Sequence, residues 1–251
     1  MVLTINTIVI GGGQAGLATS YHLTQRGCEH IILEQAAQAG NAWRNDRWDS
    51  FTLVTPNWSF RLPGAEYQGD EPDGFMGRDR IVETFEQYVA LYKLPVRYGV
   101  RATSVEPNPM GTGYLVRTDE TVFEASNVVV ATGLFQRPKI PHFSPDLSTQ
   151  ITQLHSGAYR NPEALPPGAV LVVGSAQSGC QIAEELYQSG RRVYLCIGSA
   201  GRAPRRYRGK DIFKWMDMSG FLDRTPDQLP SPKARFAGNL HALVRSPSGG
   251  R

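Results

Sequence analysis

The chain has 251 residues, 41% hydrophobic and 20% charged, a composition that supports a packed core and excludes a disordered or fibrous chain. No apolar run reaches the roughly 18–20 residues needed to span a bilayer. Its three cysteines form no CxxC, which excludes a disulfide framework, a cysteine zinc site and a reductase dithiol; no metal site is expected.

The net charge of +3 is unevenly spread, because residues 191–251 hold 13 of the 26 Lys and Arg but only 4 of the 23 acids. Such a half is either a solvated basic face or a polyanion-binding surface.

Residues 5–10 form a β-branched run that stops at glycines. It lacks the basic start and cleavage site of a signal peptide, so it reads as a first core strand of a cytoplasmic protein. Residues 15–26 read as a helix ending near Gly27, and residues 30–33 as a second strand. Strand, glycine turn, helix and strand within about 30 residues make the βαβ unit of a parallel sheet. Residues 36–78 are rich in aromatics, Gly and Pro and read as long, functional loops. An amphipathic helix follows over 81–92, with Asp79 as its N-cap. Residues 96–124 read as a small antiparallel meander, and Val128, Val129 and Val130 as a buried strand. Two proline-bearing connectors, 137–145 and 162–168, lead to a second copy of the opening pattern: strand 169–173, helix 177–189 and strand 193–197. The basic remainder holds one short helix over 211–218 and no convincing further strand. Residues 246–251 read as disordered. The fold class is therefore α/β with two Rossmann-like dinucleotide-binding domains, the first carrying the meander.

The chemistry sits in the two glycine turns. Gly11, Gly13 and Gly16 satisfy GxGxxG directly after the first strand, with Gln14 and Ala15 opening the helix. The first glycine permits the tight turn, the second admits a pyrophosphate to the backbone, and the third lets helix and sheet pack closely. The helix start supplies free N–H groups and a partial positive charge. Glu34, beside Gln35, ends the second strand, where a carboxylate binds ribose hydroxyls and repels a 2′-phosphate. This unit is set for FAD. Gly174, Ala176, Gln177, Ser178 and Gly179 form a GxAxxG variant, with Ala176 more restricted than glycine. Here the following strand ends at Gly198 without an acid, and Arg202 and Arg205 lie just beyond. That is the pattern for a 2′-phosphate, hence NADPH. Nucleotide binding also explains the 202–210 basic run, so no nucleic acid partner is expected.

These motifs resemble the class B flavoprotein monooxygenases, which are flavin-containing monooxygenase-like enzymes. The resemblance covers residues 5 to about 215. It rests on the glycine turns, Glu34, Trp43 with Arg44, Ala131-Thr132-Gly133, and His155 with Tyr159. It implies an FAD domain over 1–140, closed by Ala131, Thr132 and Gly133, and an incomplete NADPH domain over 145–251. It also implies cofactor contacts from Trp43 and Arg44 and catalytic roles for Asn57 and His155. Asn57 resembles the asparagine that the family places over the flavin; the alternative is a turn asparagine after Pro56. Trp43, Trp48 and Trp58 either wall the flavin or pack a core. The family fingerprint is matched only in its second half, since Thr149 and Ile151 stand where Phe and Gly are expected. Arg160 and Asn161 replace the Trp-Pro of Baeyer–Villiger enzymes.

The implied activity is NADPH-driven oxygenation of a small organic substrate through a flavin hydroperoxide. A reductase or oxidase without oxygen transfer, and a nucleotide-binding subunit without turnover, are the alternatives. Family members run well past this length, so uncoupled NADPH oxidation with little oxygen transfer is the expectation for this chain alone. No membrane partner is expected, and the oligomeric state is not legible.

Overall fold

The computed structural model describes residues 2–135, 137–198, 203–228 and 243–244. In chain order its first half runs β1 (Val2–Ile10), α1 (Gln14–Gln25), β2 (His30–Glu34), α2 (Asn41–Asn45), β3 (Arg61–Leu62), β4 (Ala65–Glu66), α3 (Arg78–Tyr92), β5 (Val96–Tyr98), β6 (Ala102–Pro107), β7 (Tyr114–Thr118) and β8 (Val122–Val130). The second half runs β9 (Val170–Val173), α4 (Gln177–Gln188), β10 (Val193–Cys196), β11 (Ala203–Pro204), β12 (Arg206–Tyr207), β13 (Lys210–Asp211), α5 (Ile212–Met218) and β14 (Leu243–Val244).

A six-stranded sheet in the order β5-β2-β1-β8-β7-β6 forms the main body. Its four central and left-hand strands are parallel, and β6, β7 and β8 run as an antiparallel meander. Successive side chains of a strand face opposite sides, and the buried runs of β1 and β2 divide accordingly. Val9 and Ile32 join Leu17 of α1, Phe85 and Tyr88 of α3, and Phe60 and Leu62 in one core layer. Ile8, Ile10, Ile31 and Leu33 join Val116 and Phe123 of the meander in the other. Burying each of these side chains contributes about 1.5–3 kcal/mol.

Three expectations are corrected. The segment 96–98 is not part of the meander: β5 pairs in parallel with β2 at the sheet edge, because the right-handed crossover through α3 returns the chain beside β2. The valine run is the end of a nine-residue strand, β8, which serves both the meander and the parallel sheet. Gly77, not Asp79, is the N-cap of α3; Asp79 lies in the first turn and pairs with Arg78.

The second unit, β9-α4-β10, repeats the first locally but not in extent. Among the described residues β9 pairs only with β10. Leu171 and Val173 on β9 are consequently 62% and 60% exposed, where Val9 of β1 is fully buried. Residues 246–251, expected to be disordered, lie outside the described residues. Against the expectation of no further strand, the described residues after β10 add short two-residue pairs, β11 with β14 and the hairpin β12-β13.

Candidate active site

The first glycine turn is built by close approaches that exclude side chains. Gly11 has a φ of +109°, and a Cβ there would stand 2.4 Å from the Ala131 carbonyl oxygen. The Ala131-Thr132-Gly133 segment, whose Ala131 N–H donates to Ile10 O at 2.8 Å, thus lies directly against the turn. A Cβ on Gly16 would fall 1.9 Å from Gly11 O, so only glycine lets α1 start this close to β1. Gly13 differs. Its would-be Cβ meets no atom of the described residues within 4 Å, so the space beside its backbone is open.

Glu34 is held by this turn. Its Oε2 accepts from Gly12 N–H at 2.7 Å and its Oε1 from Ala36 N–H at 2.8 Å. Each carboxylate oxygen keeps a further lone pair for a ribose hydroxyl. At Gly12, which the motif pattern leaves unassigned, a Cβ would make tight contacts of 3.1–3.3 Å with the Glu34 side chain. The residues present therefore fit an adenosine diphosphate moiety.

The second turn is a geometric replica. Gly174 has φ +107° and donates to Cys196 O at 2.9 Å, as Gly11 donates to Leu33 O at 2.9 Å. A Cβ on Gly179 would lie 2.0 Å from Gly174 O. Ala176 takes φ −72° and ψ 178°, close to the −84° and −172° of Gly13. This is extended backbone open to any residue, so alanine restricts nothing there. Two differences remain. The register pairs Cys196 with Leu33, so Ile197 rather than Gly198 occupies the place of Glu34, and it is 54% exposed. A Cβ on Gly174 would meet nothing within 4 Å, because among the described residues no strand stands where β8 leads into Ala131.

The remaining site residues separate into two groups. Asn57 is buried in a short 3₁₀ turn, its Nδ2 donating to Glu71 O at 2.9 Å. Its backbone N–H also donates to Gly74 O. The Oδ1 of Asn57 and the Nε1 of Trp58 are buried without a hydrogen-bond partner among the described residues. Trp58 also lies under Lys214 Nζ, at 4.8 Å.

His155, Trp43, Arg44 and Trp48 each have protein partners of their own. His155 Nδ1 accepts from Gly157 N–H at 3.1 Å and shapes its own turn. Arg44 pairs with Glu86 of α3 at 2.6 Å, and Trp43 packs on Phe51 and Arg47. Trp48 is 2% exposed and belongs to a core cluster with Tyr159, Ile182 and Leu186; aromatic core packing is its role. Gln14 Nε2 reaches Arg61 O at 3.4 Å, and Gln35 is exposed.

Arg205 requires a correction. It is 6% exposed, its Nε donates to Asp211 Oδ2 at 2.6 Å, and its Nη1 donates to Val54 O. Phe75 and Phe213 flank the guanidinium at 4.5 and 5.5 Å. Asp211 in turn caps α5 by accepting from Phe213 N–H. A buried arginine pinning 205–213 onto the 54–75 loops does not fit a 2′-phosphate contact. Sequence proximity to the glycine turn could not reveal the distant Val54 and Phe75 partners. Arg202 lies outside the described residues.

Two such glycine turns in one α/β chain define a Rossmann-like architecture. Comparison with known proteins agrees. The pyridine nucleotide-disulphide oxidoreductase family matches residues 8–214, and the chain belongs to that family, on its flavin-containing monooxygenase-like side. It is 39% identical over 220 residues to an uncharacterized CzcO-like oxidoreductase of Geobacillus kaustophilus, covering 87% of this chain and 62% of the relative. Rice indole-3-pyruvate monooxygenase YUCCA1 is 26% identical over 208 residues, or 82% of this chain and 51% of that protein. A solved flavin-containing monooxygenase from Stenotrophomonas maltophilia superimposes with a TM-score of 0.74 at 26% identity, covering 98% of this chain and 71% of the neighbour. The chain thus spans less than two thirds of the length of the curated relatives it matches. No helix among the described residues is long and apolar enough to cross a membrane.

Proposed function

We propose that this chain is the nucleotide-binding portion of a cytoplasmic FAD- and NADPH-dependent monooxygenase acting on a small organic substrate. The duplicated turn carries the reading, with a Gly16-type clash of 1.9 Å repeated at Gly179 as 2.0 Å and a ribose-binding acid at the first copy only. FAD is held by Gly11, Gly13, Gly16 and Glu34 within residues 1–140; the nicotinamide nucleotide is held by Gly174, Ala176 and Gly179 within 145–251. Bound there, the two cofactors supply hydride transfer and oxygen activation, the hard chemistry of the reaction. The protein's own part is placement. The Gly13 backbone leaves room for phosphate, Glu34 orients the ribose, and Asn57, by its likeness to the family's asparagine, is assigned to the flavin. The three cysteines are free and form no CxxC, so the disulphide chemistry in the family's name has no CxxC dithiol here.

Cofactor released from purified protein is expected to run as FAD on chromatography, and FMN as the main species would overturn the reading of Glu34. NADPH is expected to be preferred over NADH, since no acid stands at Ile197 to repel a 2′-phosphate. A charge-assisted bond to phosphate contributes about 1.5–3 kcal/mol, or roughly 10- to 100-fold in affinity. Arg202→Ala should reduce the NADPH:NADH ratio by that order, measured by titration of each nucleotide. An unchanged ratio would remove Arg202 from the site.

A further inference from the structure

The turn at Gly174 and the turn of Asn57 are joined by a strap, residues 45–54, that lies along α4 and the 159–161 segment. Asp49 N–H donates to Arg160 O at 2.8 Å, Asn161 Nδ2 donates to Asp49 Oδ2 at 2.7 Å, and Gln181 Nε2 donates to Thr52 O at 3.1 Å. Arg160 returns hydrogen bonds to the carbonyls of Asn45 and Arg47. At the centre is Glu185 on α4. Its Oε1 accepts from Ser50 Oγ at 2.8 Å and its Oε2 from Tyr159 OH at 2.7 Å. Trp48, Tyr159, Ile182 and Leu186 seal the apolar side of the same contact.

We propose that Glu185 is a positioning residue that couples the two nucleotide sites. It clamps α4, which starts at the second glycine turn, to the strap that leads into the Asn57 turn. The inference rests on the two-nucleotide reading above. Three observations support it. A carboxylate receiving one hydroxyl from each side ties the two segments through a single group, and hydrogen bonds to a charged acceptor are about twice as strong as neutral ones. Burial, followed by the Glu185 hydrogen bond, holds the Tyr159 phenol far above the ordinary tyrosine range, so it stays a donor at every working pH. Gln181, Ile182, Glu185 and Leu186 lie one turn apart on one face of α4, so the whole helix, and not a side chain alone, is registered against the strap. Once a ligand at one site has ordered this shared element, a ligand at the other meets less ordering cost, and the two bind with positive coupling.

The test compares the unaltered chain with E185Q and with the double variant Y159F/S50A, which removes both donors and keeps the Tyr159 ring against Trp48. FAD affinity is measured with and without saturating NADP+, so that no turnover is needed. The unaltered chain should bind FAD about 5- to 10-fold tighter with NADP+. Both variants should fall below about twofold, with FAD affinity in the absence of NADP+ held within about twofold. Hydrogen exchange is followed in parallel. Amides of 45–54 should exchange about tenfold faster in the double variant, a loss of about 1.4 kcal/mol of local protection, with 7–20 unchanged. Coupling retained in the variants, or coupling absent from the unaltered chain, overturns the proposal; so does a lowered melting temperature with coupling intact. If the unaltered chain binds no FAD, the two-nucleotide reading fails instead. The exchange result then decides the clamp alone, with unchanged exchange in 45–54 sinking it.

Discussion

Arg205→Ala is expected to destabilise the protein by about 3–5 kcal/mol, the usual result of removing one partner from a buried ion pair. The side chains of Arg205 and Asp211 are only 7% and 8% exposed, and 2.6 Å separates Nε from Oδ2. Without the guanidinium, the Asp211 carboxylate is left buried against Phe213 N–H alone, the Val54 carbonyl loses its donor, and Phe75 loses the cation on its face. Replacing both members removes the stranded charge, so Arg205→Met with Asp211→Asn should recover most of the loss. Asparagine keeps an oxygen to cap α5, and methionine fills the space between the two rings. Denaturant melts of the three variants measure this. A loss below about 1 kcal/mol in Arg205→Ala would show the pair to be solvated. If NADPH preference fell while stability held, Arg205 would return to the phosphate site.

That result bears on what the sequence could disclose. The local rules were legible: β-branched runs stopping at glycine, helices opening on small residues, and an acid 23 positions after Gly11. Each depends on neighbours within one βαβ unit, and the structure sets Gly16 against Gly11 and bonds Glu34 to Gly12 of the same turn. Arg205 was misread because its partners, Val54 and Phe75, are more than a hundred residues away, and a basic run carries no signal of which arginine turns inward. Gly12 was passed over because the motif names other glycines, while its tight contact comes from the Glu34 side chain folding back onto it. Trp48 was legible only as an aromatic, and Tyr159 only as part of the family fingerprint. Their shared cluster with Ile182 and Leu186 arises from packing between segments that no periodicity connects. The likeness of the two units was visible in the pattern. The difference between them, Ala131 O against Gly11 and nothing against Gly174, needed the third strand to be located.

Gly13→Val is expected to abolish flavin retention while leaving the fold intact, and Gly16→Ala is expected to do the reverse order of damage. The two glycines occupy one motif but answer to different neighbours. Gly13 has extended backbone, φ −84° and ψ −172°, which valine adopts without strain. Its Cβ would enter space with no atom of the described residues within 4 Å. The cost to the chain is that of a poorer helix N-cap, about 1 kcal/mol. A ligand phosphate needs that same space, so branched carbon there should weaken FAD by at least about 100-fold, equivalent to about 2.7 kcal/mol. Gly16 faces protein instead. A methyl 1.9 Å from Gly11 O must push α1 off β1 and open the turn, so stability and flavin should be lost together. Absorbance of the purified variants gives flavin stoichiometry, and thermal melts without added FAD give the fold. Stoichiometric FAD in Gly13→Val would mean that the open space beside Gly13 is not where the pyrophosphate lies. An apoprotein melt collapsed as far as that of Gly16→Ala would mean that Gly13 serves the fold and not the ligand.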